Sequence, residues 1–112
     1  MELRQYSSKN VTILAPIGRV DSHSVSALRK RIDYVTTARP ANVVIDLAKV
    51  DFMDSSGLAV LVHGMKHCRA SGGDLCLCRP AQPIRMVLEL TRLDKAIDIF
   101  PGTTEALAFF NN

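Results

Sequence analysis

The chain has 112 residues, 47% hydrophobic and 22% charged, the proportions of a single globular domain with its own core rather than of a disordered or repetitive chain. A formal charge of +3 raises the question of nucleic acid, but the basic residues are scattered, the cluster Arg29-Lys30-Arg31 falls on a predicted helix face, and only two tyrosines and four phenylalanines could stack on bases, which argues against direct nucleic-acid binding. Apolar runs such as residues 57–62 are cut by His, Lys or Arg well before membrane-spanning length, and MELRQYSSKN lacks the apolar centre of a secretory signal, so the expectation is a cytoplasmic chain without a span.

In chain order, residues 2–6 read as a short edge strand and 7–10 as a polar turn. Val11, Ile13, Ala15 and Ile17 alternate as strand residues do, with Pro16 marking an edge or a strand end. After Gly18-Arg-Val-Asp-Ser22, the residues Val25, Leu28, Ile32 and Val35 recur at helical spacing, and Asp21 or Ser22 is placed to cap the start. Arg39-Pro40 closes that helix, and Val43-Val-Ile-Asp-Leu47 follows as a nearly continuous apolar strand, the pattern of a parallel strand buried on both faces.

Residues 48–54 read as a loop and 56–70 as a helix, stopped by Ser71-Gly-Gly73. Then come an apolar strand at 75–78, a helix over 82–91, a last strand at 97–100, and a terminal helix opened by Thr103 or Thr104. Such alternation implies a small mixed, largely parallel sheet flanked by about four helices, one α/β domain over residues 1–112. Loops at the carboxyl ends of parallel strands gather at one end of such a sheet. That places residues 18–22 beside 50–56, and Asp21 near Ser55.

The three cysteines do not form C-x-x-C, and Cys76 and Cys78 lie at i, i+2 in a strand while Cys68 is near a helix end; buried free thiols are expected. At about 100° per residue, Leu58, Leu61, Val62 and Met65 share one side of their helix and are expected to face the sheet. Val60, His63 and His67 then lie on an outer face, beside Gly64, suited to docking a partner. His63 and His67 stand at i, i+4, but Gly64 occupies the place of the acid in H-E-x-x-H, so they read as exposed histidines, and no metal is expected.

The stretch Asp54-Ser-Ser-Gly57 carries the chemistry. Asp54 or Ser55 as an N-cap would contribute about 1 kcal/mol, yet no Glu or Gln follows three positions later to complete a capping box, and capping leaves one polar side chain unexplained. A small hydrolase using Ser55 or Ser56 would need a different surround, since D-S-S-G is not G-x-S-x-G, His63 and His67 lead away along the helix, and only His23 is left to come from another loop. Phosphorylation fits better, because a phosphoserine of charge about −1.5 to −2 can sit at a helix N-terminus without unfolding the domain.

Taken together, Gly18-Arg-Val-Asp21, Val43-Val-Ile-Asp-Leu47, Phe52-Met-Asp-Ser-Ser-Gly-Leu58, Gly72-Gly73 and a final helix after Phe100 resemble a STAS domain of the bacterial anti-sigma factor antagonist (anti-anti-sigma factor) family over nearly the whole chain. The resemblance implies a partner-switching cycle. The unmodified antagonist binds an anti-sigma factor that is also an ATP-dependent serine kinase, a sigma factor is freed, phosphorylation of Ser55 ends the complex, and a PP2C-type phosphatase restores it. It further implies that Asp21 and Asp54 orient the serine and contact the kinase, that Ser56 is a neighbouring cap residue, and that the chain is no enzyme and holds no cofactor; together with the outer helix face, this gives Asp21, Asp54, Ser56, Gly57, Val60 and His63 as the expected partner-binding set. The chain is basic where many such antagonists are acidic. A second reading within the same family is a STAS regulatory subunit of a lipid-transport ATPase acting without obligatory phosphorylation; an anion-transporter tail is disfavoured because the chain has no membrane segment.

Overall fold

The computed structural model describes residues 1–111. Strands β1 (Glu2–Ser8) and β2 (Val11–Val20) form an antiparallel hairpin; then come α1 (Val25–Val35), β3 (Asn42–Asp46), β4 (Val50–Met53), α2 (Ser55–Ala70), β5 (Asp74–Cys78), α3 (Gln82–Leu90), a 3-10 turn (Leu93–Lys95), β6 (Ile99–Phe100) and α4 (Thr103–Asn111). The strand order is β1-β2-β3-β5-β6, with β4 alongside β2, and every pairing except β1 with β2 is parallel. The mixed, largely parallel sheet with four helices is as expected.

Several local expectations change. The first turn is shorter than residues 7–10, because β1 runs to Ser8 and the chain reverses at Lys9-Asn10, with Lys9 in the left-handed region at φ 55. Pro16 ends nothing: β2 continues to Val20. On the side away from β1, β2 pairs with β3 through Val11–Leu14 and with β4 from Gly18 onward, so Pro16 stands in the gap where no partner asks for its missing N–H. The stretch read as a loop at 48–54 contains β4, whose Val50 and Met53 are buried around exposed Asp51 and Phe52, a pattern too short and irregular to show a period of two. The last strand keeps only Ile99–Phe100, because the Ile97 amide donates back to the Leu93 carbonyl at 2.9 Å and so belongs to the turn before it.

The sheet carries two unequal cores. On one face α1, α2 and α3 bury Leu28, Ile32, Leu61, Cys68, Ile84 and Leu88 against Leu14, Val43, Ile45, Leu75 and Leu77. On the other, α4 alone covers Val11, Ile13, Val44, Cys76 and Cys78 through Ala106, Leu107 and Phe110. All three thiols are free and buried, and burial pushes each up to about 12. Asp46 is the buried charged side chain, 6% exposed, and it is matched by Arg79, whose Nη2 and Nε donate to its two oxygens at 2.6 and 3.1 Å.

The packing of α2 corrects the expected helix face. Gly57, Val60, Leu61, Gly64, Met65 and Cys68 are buried, whereas Leu58 and Val62 are only half-buried. The buried arc is thus turned by about a quarter turn from the one marked by the large aliphatics. Its centre is made of small residues, which let the helix axis come close. A Cβ on Gly57 would lie 2.7 Å from Met53 Cγ and 2.8 Å from the Val20 carbonyl oxygen, and one on Gly64 would lie 2.9 Å from Leu75 Cδ1. Val60, 3% exposed, and Gly57 therefore belong to the core and not to a docking face.

Gly57→Ala meets backbone that cannot give way, and this overpacking, about 1–3 kcal/mol, outweighs the helix-propensity gain of up to about 1 kcal/mol. Urea denaturation is expected to show a net loss of about 1–2 kcal/mol, with a smaller loss for Gly64→Ala, which meets only flexible side-chain tips. A thiol reagent at neutral pH is expected to find the three cysteines unreactive in the folded protein and all of them reactive in denaturant; a rapidly titrating thiol in the native state would contradict their burial.

Candidate functional site

The site is built where β2 and β4 end side by side. Arg19 is registered with Phe52 and Val20 with Met53, so the loops after both strands emerge at the same end of the sheet, and the Asp54 amide donates back to the Val20 carbonyl at 3.3 Å. Asp21 and Ser55 therefore share one end of the domain.

Asp54, in extended conformation at φ −105, is the N-cap of α2. Its Oδ1 accepts from the amides of Ser56 at 2.9 Å and Gly57 at 3.2 Å, which satisfies donors that the first helical turn leaves free. Its Oδ2 accepts from the Ser22 amide at 3.2 Å, so one carboxylate ties the two loops together. Of the two cap candidates the structure selects Asp54. Ser55 is exposed at the first position of the helix, and its hydroxyl is not part of the cap. Ser56 is half-buried beside it.

Asp21 organises the other loop. Its Oδ1 accepts from the amides of His23 at 3.0 Å and Ser24 at 3.1 Å, and its Oδ2 from Arg19 Nε at 3.1 Å. The Arg19 guanidinium first, and the His23 and Ser24 bonds after it, hold the carboxyl below the usual range against the opposing effect of desolvation, so Asp21 is an anion at neutral pH. Asp21 does not cap α1 directly. The position before the helix is Ser24, which makes no side-chain cap bond, while the Asp21 carbonyl accepts from Val25 at 2.9 Å.

Two residues absent from the sequence-derived set complete this surface. Phe52 is 38% exposed, and the Arg19 guanidinium stacks on its ring at 3.9 Å from the centroid, a cation–π contact. The aromatic immediately before Met-Asp-Ser-Ser was visible in the sequence, but its outward direction follows only once β4 is recognised as a strand.

His63 is not brought to the serines. It lies eight residues along α2 from Ser55, about 12 Å at 1.5 Å per residue, and its Nε2 is 2.6 Å from Asp33 Oδ1 on α1. His63 is thus engaged elsewhere, and His67 lies a further turn along α2, so neither provides Ser55 with the base a hydrolase needs. What the site offers is an accessible hydroxyl at the positive end of a helix, beside the carboxylates of Asp21 and Asp54. Among the described residues, no helix is long and apolar enough to cross a membrane.

Comparison with known proteins agrees with this architecture. The chain is 27% identical over 108 residues to the anti-sigma F factor antagonist of Paenibacillus polymyxa, spanning 96% of this chain and 92% of that one. The crystal structure of an anti-sigma factor antagonist from Mycobacterium paratuberculosis matches with a TM-score of 0.87 at 26% identity, covering 99% of this chain and 94% of the other. The antagonist SpoIIAA in its unphosphorylated form shares the fold, with a TM-score of 0.80 at 21% identity over 95% of this chain and 93% of its own, and its phosphorylated form has the same fold at a TM-score of 0.74, 21% identity and coverage of 96% and 97%. The family model for the STAS domain matches residues 3–106, and the chain belongs to that family.

Proposed function

We propose that this chain is an anti-sigma factor antagonist: unmodified, it binds an anti-sigma factor and so frees a sigma factor, and phosphorylation of Ser55 ends that complex. The observation that carries this reading is the division of labour at the start of α2. Asp54 holds the helix and both loops, which leaves the exposed Ser55 hydroxyl without a structural duty. The anti-sigma factor is itself the serine kinase, transferring the γ-phosphoryl group of ATP to Ser55, and a PP2C-type phosphatase hydrolyses the ester.

Selectivity follows from charge. Asp21 and Asp54 already make this end of the domain acidic, and Arg19 is committed to Asp21 and Phe52. A phosphate of charge about −1.5 to −2 added to Ser55 turns a mixed surface strongly negative, and a partner that buries the spot meets repulsion and desolvation. Each 1.4 kcal/mol so introduced weakens the complex about tenfold. Asp21, Asp54, Ser56 and the outward Phe52 form the contact surface around the acceptor, while His63 lies at its far margin along α2.

The test uses the anti-sigma factor kinase as partner. Incubation with ATP and magnesium is expected to place phosphate on Ser55, located by mass spectrometry, and to release the complex. In calorimetric titration Ser55→Ala is expected to bind like the unmodified chain and Ser55→Asp at least tenfold more weakly; equal affinities for the two variants would overturn the reading. Stability separates the two neighbours as well. Asp54→Ala is expected to lose about 1–2 kcal/mol on urea denaturation, whereas Ser55→Ala stays within about 0.5 kcal/mol of the parent.

A further inference from the structure

Asp33, in the last turn of α1, faces His63 and His67 of α2 across the seam between the two helices. His63 Nε2 is 2.6 Å from Asp33 Oδ1, the two imidazole centroids are 4.2 Å apart, and one ligand atom from each of the three residues falls within 4.8 Å of the others. The i, i+4 spacing on α2 stacks the imidazoles on one side of the helix, and the packing of α1 on α2 adds the carboxylate. From these residues we propose a binding site for a divalent transition-metal ion of the zinc class, held by Asp33, His63 and His67 with solvent in the fourth position.

Two imidazoles and one carboxylate are a donor set that suits zinc and disfavours calcium and magnesium, which take oxygen ligands. Bonds of about 2.0–2.2 Å in a tetrahedron put ligand atoms about 3.3–3.5 Å apart. His63 and Asp33 are already nearer than that, and the remaining separation closes by rotation of side chains that are not locked: the Asp33 carboxylate is 50% exposed and His67 is exposed. Metal binding replaces the His63–Asp33 hydrogen bond with two coordinate bonds, the proton on Nε2 moving to Nδ1 or leaving to solvent.

Arg29 lies one turn before Asp33 on α1 and its positive charge opposes a cation, which limits the affinity. The thiols do not compete, because all three are buried and pushed up to about 12. The ion would join α1 to α2, below the end of the domain that carries Ser55, and the proposal stands whether or not Ser55 is modified.

The experiment is calorimetric titration of the untagged full chain with zinc sulfate, repeated with cobalt(II) for its visible absorption. One equivalent is expected to bind in the range of about 1–50 µM, the affinity of a three-ligand surface site, with cobalt bands of tetrahedral type and a melting temperature raised by zinc. His67→Ala, which removes an exposed side chain and should keep the fold, and His63→Ala are each expected to weaken binding at least tenfold and to abolish the thermal shift; Asp33→Asn weakens it less. His23→Ala, outside the cluster, is expected to bind as the parent does. No saturable binding up to about 1 mM, or binding that survives in the His63→Ala/His67→Ala double variant, would overturn the site.

Discussion

The carboxylate of Asp54 is the contact on which the functional end of the molecule depends. One oxygen closes the open amides of α2 and the other reaches the Ser22 amide in the loop after β2. Two segments 32 residues apart are thereby held in one register, and the backbone bond from Asp54 to Val20 adds a second tie. Without that bridge, the parallel pairing of β2 with the short β4 would bring the loops near each other but would not define where Ser55 stands. A cap contributes on the order of 1 kcal/mol; here its greater importance is positional.

That arrangement explains how a hydroxyl can be chemically free on a rigid base. α2 lies close against the sheet because Gly57 and Gly64 present no side chain where Met53, Val20, Leu75 and Ile32 approach. The helix is therefore not a lever that swings when its first residue is modified. Interiors packed this closely respond to a new surface charge by keeping their geometry, and the consequence is felt by whatever binds. The proposed exchange of partners by surface charge therefore asks for no large movement within the domain.

Much of this was legible in the chain. The strands rich in Val, Ile and Leu, the Gly-Gly stop after α2 and the D-S-S-G segment placed the sheet and the helices correctly and set Ser55 at a helix start, because each rests on a local rule. Three features were not legible, each for a physical reason. β4 has two buried residues around two exposed ones and never completes an alternation. The buried face of α2 was misjudged because large aliphatics were counted and glycines were not, although it is the glycines that allow the closest contact; Val60 was consequently placed outside. Asp33 shares no motif with His63 and His67, since only the packing of one helix on another makes them neighbours.

The unequal covering of the sheet has a consequence for chemical damage. Cys68, in the last turn of α2, is buried in the larger core, whereas Cys76 and Cys78 lie under α4, the last helix of the described chain. A single helix covers that face, so any lifting of α4 would bare two sulfurs on the back of the sheet to peroxide or to electrophiles while the larger core stays covered. The domain thus has a thinly covered rear and a protected face, and oxidative wear would register first on the side of the sheet opposite α2.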